Sequence, residues 1–185
     1  MKEKQVSVTM KNIILTGFMA SGKTTIGKCL SEKLNMSFID TDEYIEKNEG
    51  MTINEIFSSF GEKHFRKLEE KCAKELCTTS GTIIATGGGF VLNKSNIDNL
   101  RKNGVIVNLK TNEVVIRKRL DGARGTRPLL QNNELDTIMQ RFEQRKPYYD
   151  NCDIQIELNC NDLPEQYADR IINKLKNTKE RKTEI

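Results

Sequence analysis

The sequence predicts an α/β fold, a parallel β-sheet covered on both faces by helices. Three observations predict it. Short apolar runs such as Ile13-Ile14-Leu15 and Thr82-Ile83-Ile84-Ala85 show no polar alternation, which suits strands buried on both faces. These runs alternate with segments of helical periodicity, the mark of strand–helix–strand units. The length, 185 residues, matches one domain around a single core, spanning 1–185.

The first strand is expected at 12–16 and its helix at 23–34. A second short strand at 37–39 leads into helices at 42–48, 53–60 and 62–77, the last two separated by Gly61. The third strand, 82–85, runs into Gly87-Gly88-Gly89 and a helix at 95–103. The fourth strand, 105–109, is followed by helices at 113–120 and 134–149. A weaker fifth strand at 153–158 and a helix at 164–175 complete the pattern. Ligands of such sheets bind beyond the carboxyl ends of the strands. Residues 121–133 interrupt the rhythm with Gly122, Arg124, Gly125, Arg127 and Pro128, and with little apolar content before Leu129 and Leu130. A mobile lid and an ordinary surface loop both fit such a segment. The polar ends, 1–10 and 177–185, have little to bury and are expected to be flexible.

Composition narrows the function. Hydrophobic residues make up 36% and charged residues 30%, a soluble globular profile. The formal charge of +4 is mixed along the chain, without the dense basic stripe of a nucleic-acid binder. No apolar run approaches the ~18 residues of a membrane span, and the N-terminus lacks the apolar stretch of a signal peptide. The five cysteines form no Cys-x-x-Cys pair and accompany one histidine, which argues against a structural metal. An odd count without an export signal points to reduced thiols and a cytoplasmic protein. A monomer is expected, with no nucleic-acid or membrane partner.

The strongest motif is Gly17-Phe18-Met19-Ala20-Ser21-Gly22-Lys23-Thr24, which fits G-x-x-x-x-G-K-[ST]. Its glycines let the backbone wrap so that N–H groups face phosphate oxygens, and the helix that follows offers its positive end to the same anion. Lys23 suits the β- and γ-phosphates, and the Thr24 hydroxyl suits Mg²⁺. The motif sits between a strand and a helix, as the mechanism requires.

Asp40 and Asp42 leave the end of the second strand two residues apart, a spacing that points both side chains the same way on an extended segment. They suit a metal and an acceptor hydroxyl, but taken alone a solvated strand end or a helix cap is the better explanation. The three glycines at 87–89 suit close approach of a ligand to backbone, or a tight turn. Arg66, Arg127 and Arg145 could each pair bidentately with a carboxylate or phosphate, although a lone arginine is by default a solvated charge. His64 is given no role.

Together and in this order these motifs resemble shikimate kinase. The carrying residues are Gly17 to Thr24, Asp40-Thr41-Asp42, Gly61 to Arg66 with Glu69, Gly87 to Gly89, Arg127-Pro128-Leu129-Leu130 and Arg145-x-Pro-x-Tyr. The resemblance runs from about residue 12 to 175. It implies a three-layer P-loop kinase fold with a five-stranded parallel sheet in the order 2-3-1-4-5, a substrate-binding region at 42–77 and a lid at 121–133. It implies ATP-dependent phosphorylation of the 3-hydroxyl of shikimate with Mg²⁺ as cofactor, in aromatic amino-acid biosynthesis. Asp42, Lys23 and Arg127 are then catalytic. Gly17, Ala20, Ser21, Gly22, Lys23, Thr24, Thr25, Arg119, Arg127 and Pro164 bind ATP, with Arg119 preferred over Arg117 and Lys118 against adenine. Asp42, Arg66, Gly87, Gly88, Gly89 and Arg145 bind shikimate, and Thr24 and Asp40 support the metal. The nearest alternatives are kinases of gluconate or of a nucleoside monophosphate. A regulatory nucleotide-binding module is more distant, since Asn93-Lys94-Ser95-Asn96 lacks the aspartate that would read guanine.

Overall fold

A computed structural model describes residues 11–122 and 132–183. Five strands, β1 (Asn12–Thr16), β2 (Ser37–Asp40), β3 (Thr82–Ala85), β4 (Gly104–Lys110) and β5 (Ile154–Glu157), form one sheet in the order β2-β3-β1-β4-β5. Every neighbouring pair is parallel, with Ile14 opposite Ile84 on one side and Ile106 on the other. The seven α-helices among the described residues are α1 (Lys23–Leu34), α2 (Thr41–Glu49), α3 (Ile53–Leu76), α4 (Lys94–Arg101), α5 (Glu113–Gly122), α6 (Asn132–Tyr149) and α7 (Pro164–Thr183).

Successive strand residues point to opposite faces, so the uninterrupted apolar runs feed two cores. Ile14, Ile84 and Ile106 pack against Ile45 of α2, Ile56 and Phe65 of α3, Leu100 of α4 and Phe142 of α6. Ile13, Leu15, Ile83, Val107 and Leu109 face the other way, onto Ile26 and Leu30 of α1 and Tyr167 and Ile171 of α7. The result is the expected three-layer arrangement.

The boundaries carry information. Gly61 has φ 75° and ψ 171° inside α3, a backbone state suited to glycine, so α3 is two helical stretches meeting at the expected break. Its first stretch opens on a capping box between Thr52 and Glu55. The polar segment expected to fray beyond residue 176 remains helical to Thr183. Helices α5 and α6 take the ends of the 121–133 segment. Residues 123–131, Arg127 among them, lie outside the described residues.

Candidate active site

The phosphate loop joins the buried β1 to α1. Gly17 has φ 148° and Gly22 φ 86°. A Cβ on Gly17 would stand 2.9 Å from both the Leu109 carbonyl oxygen and Ser21 Oγ, so only glycine fits the loop's entry. The loop closes on its own lysine. Lys23 Nζ donates to Gly17 O at 2.7 Å, Phe18 O at 3.0 Å and Ser21 Oγ at 3.3 Å. Burial lowers the Lys23 pKa to about 8, against the upward pull of Asp42 and Asp40.

Those acids meet in a way the extended-segment expectation missed. Asp42 lies in the first turn of α2, and Asp40 is that helix's N-cap, accepting from Asp42 N at 3.0 Å through Oδ1. A carboxylate cap satisfies an orphan helix N–H and complements the positive helix end, so the chain turns helical one residue after the strand. The other Asp40 oxygen accepts from Thr24 Oγ1 at 2.8 Å. Asp40 therefore ties the phosphate-loop helix to the acid helix.

Asp42 Oδ1 is buried and has no hydrogen-bond partner among the described residues. Burial raises the Asp42 pKa to about 6, with Asp40 adding to the rise and Lys23 opposing it. The carboxyl fits against the glycine segment so closely that a Cβ on Gly87 would overlap Oδ1. Two residues on, a Cβ on Gly89 would overlap the Arg66 guanidinium. The close approach expected at the glycines is thus made by the chain's own functional side chains. The buried Thr41 hydroxyl accepts from Gly87 N at 2.9 Å and anchors the segment to α2.

Arg66 is held on two sides. Its Nη1 donates to Glu69 Oε2 at 2.6 Å, and its Nη2 and Nε donate to Glu62 Oε1 at 2.8 and 3.2 Å. Glu69 is 1% exposed, and its Oε1, like Asp42 Oδ1, has no partner among the described residues. Arg145 lies close enough to hold down the pKa of Glu62, after the larger effect of Arg66, and to oppose the burial that raises Glu69. The two arginines expected at one carboxylate therefore share an electrostatic neighbourhood.

The residues expected at the nucleotide gather separately. Ala20, Gly22, Thr25, Arg119 and Pro164 line one cavity of about 300 Å³, together with Asp162 and Tyr167. Arg119 Nη1 donates to Ala20 O at 3.0 Å, whereas Arg117 pairs with Glu113 on its own helix at 2.7 Å. This favours Arg119 as the arginine facing the loop. Another cavity, of about 330 Å³, lies behind Phe18 between the end of β4 and the last turns of α6. None of the acid-pair, Arg66 or glycine residues lines it.

Sequence reasoning gave no role to Thr41, Glu62, Glu69 or Tyr149. The spacing of Glu62, Arg66 and Glu69, four and three residues apart, was a readable helix signal for the two ion pairs. The Gly87–Thr41 bond spans 46 residues and left no local signature.

The family model for shikimate kinase matches residues 19–176. A curated shikimate kinase of Caldicellulosiruptor bescii is 48% identical over 164 residues, covering 88% of this chain and 94% of that protein. The structure of Acinetobacter baumannii shikimate kinase in complex with shikimate superposes with a TM-score of 0.83 at 31% identity, covering 92% of this chain and 96% of that one. A gluconokinase from Sinorhizobium meliloti, 16% identical with a TM-score of 0.55, shares the fold alone. Sequence and topology agree, and the chain belongs to the shikimate kinase family.

Proposed function

We propose that the protein transfers the γ-phosphoryl group of ATP to the 3-hydroxyl of shikimate, a step of aromatic amino-acid biosynthesis. The observation that carries this reading is the cluster of Asp42, Arg66 and Gly87 to Gly89 beside the phosphate loop. It sets a raised-pKa carboxylate and a carboxylate-reading arginine against one glycine segment. A nucleoside monophosphate has no carboxylate for Arg66 and Arg145.

In this mechanism the loop N–H groups and Lys23 hold the β- and γ-phosphates, and Arg119 and Pro164 flank the adenine. Arg66 and Arg145 clamp the shikimate carboxylate, which fixes the ring so that its hydroxyl meets Asp42. Asp42 takes the hydroxyl proton as that oxygen bonds to the γ-phosphorus and the bond to the ADP oxygen breaks. Thr24 Oγ1 and Asp40 Oδ2, 2.8 Å apart, are hard oxygen donors beside the loop. They fit a Mg²⁺, which Thr24 and Asp40 would hold beside the loop. When bound, the ion neutralises charge on the phosphate oxygens. Arg127 is assigned to the transferred phosphoryl group, in a lid that excludes water. No helix among the described residues is long and apolar enough to cross a membrane.

ADP release should require both Mg²⁺ and shikimate. Equal or faster turnover with gluconate or a nucleoside monophosphate would overturn the assignment. In the same assay, Arg127→Ala should lose kcat and keep its KM for ATP.

A further inference from the structure

The third glycine contact belongs to a residue outside that machinery. Tyr149, at the end of α6, is 5% exposed and donates from its hydroxyl to Gly88 O at 2.6 Å. The two residues are 61 apart in sequence, so the bond closes the site across the molecule. Tyr149 follows Arg145 by four residues, which places both on one helix face. Burial pushes the Tyr149 pKa up to about 12 while the Arg145 charge and hydrogen bonding oppose the rise. On the far side of the same backbone segment, Gly89 packs against Arg66.

We infer that Tyr149 is a positioning residue for carboxylate recognition, holding the Gly88 carbonyl so that Arg145 on α6 and Arg66 on α3 face one substrate carboxylate in register. The geometry explains why this task needs a hydroxyl. The phenyl body of Tyr149 lies in the apolar core, where phenylalanine would serve as well, but only the hydroxyl reaches the glycine carbonyl. Arg66 reaches that backbone by direct packing, and Arg145 sits one turn before the Tyr149 that holds it. A shift of the glycine segment would change the separation of the two arginines, and a bidentate clamp tolerates little misplacement.

The inference rests on the shikimate reading above and is tested with Tyr149→Phe, which keeps the ring and removes one hydrogen bond. KM for shikimate should rise about fivefold, the effect of one net hydrogen bond. KM for ATP should stay within about twofold. The split between the two KM values decides. In an Arg145→Lys background the Tyr149→Phe penalty should shrink, because both act on one clamp. Unchanged KM for shikimate, equal rises in both KM values, or fully additive penalties would each overturn the inference while leaving shikimate phosphorylation standing. A wild-type enzyme that ignores shikimate would instead overturn the functional reading, and the inference with it. Should the phenylalanine variant fold poorly, NMR gives a substrate-free reading: the Gly88 and Gly89 amide resonances should move in Arg145→Lys, and unmoved resonances count against the tie.

Discussion

At Asp42 and Lys23 two charges are held where water reaches them poorly. The acid titrates near 6 and the lysine near 8, each moved chiefly by burial and each partly restored by the other. In the proposed mechanism, proton abstraction needs Asp42 ionised, and phosphate binding needs Lys23 charged. Activity should therefore rise with pH through about 6 and fall through about 8. A kcat/KM profile of the free enzyme measures both limbs as properties of the coupled pair. Bound phosphates favour the lysine's charged form, so the alkaline limb of kcat should lie higher than that of kcat/KM. A flat profile from pH 5.5 to 8.5, roughly the window spanned by these two shifts, would show that neither group limits the reaction.

The glycine segment after β3 is an element without side chains of its own, shaped to receive those of others. A methyl group at Gly87 would meet the Asp42 carboxyl, and one at Gly89 would meet the Arg66 guanidinium. The two substitutions should separate chemistry from binding. Gly87→Ala should lower kcat, by ~10²-fold if the base is displaced, and Gly89→Ala should chiefly raise KM for shikimate. Identical kinetic defects would mean that the segment acts as one loop. The sequence made this element's position legible, since three glycines ending a strand announce close packing of some kind. It did not reveal what packs there, because Asp42, Tyr149 and Arg66 reach the segment through tertiary contacts. Gly61 was readable for the opposite reason. Its φ of 75° is a purely local demand, and a glycine between two helical periods states it directly.

For the whole molecule, β1, β3 and β4 were legible as apolar runs because both sheet faces are covered there, whereas the edge strands β2 and β5, with Ser37, Asp40, Gln155 and Glu157, gave weaker signals. The order of the five was not legible. Strand order depends on which crossovers pack best, and it entered only through the family resemblance before the structure showed it. The acid pair lay between these cases. Asp40 and Asp42 were visible, but the helix cap that brings them together overrode the extended spacing used to place them. Tyr149 was least legible, its partner being 61 residues away.

Two buried carboxylate oxygens without partners among the described residues, one on Asp42 and one on Glu69, mean that this fold is stable in spite of its pocket. Because the folded chain holds the Asp42 proton more tightly than the unfolded chain does, the penalty is absent below about pH 3.8 and fully felt above about 6. That gap corresponds to roughly 3 kcal/mol, and water entering the partly open site reduces it to ~2 kcal/mol. Asp42→Asn should accordingly melt about 5 °C higher at neutral pH while turning over poorly. At pH 4 the melting advantage should vanish. An asparagine variant that melts lower at pH 7 would show that the carboxylate is well solvated after all. An aspartate that costs the fold stability at neutral pH is one whose use must lie in what it does to a bound molecule, as the proposed mechanism has it.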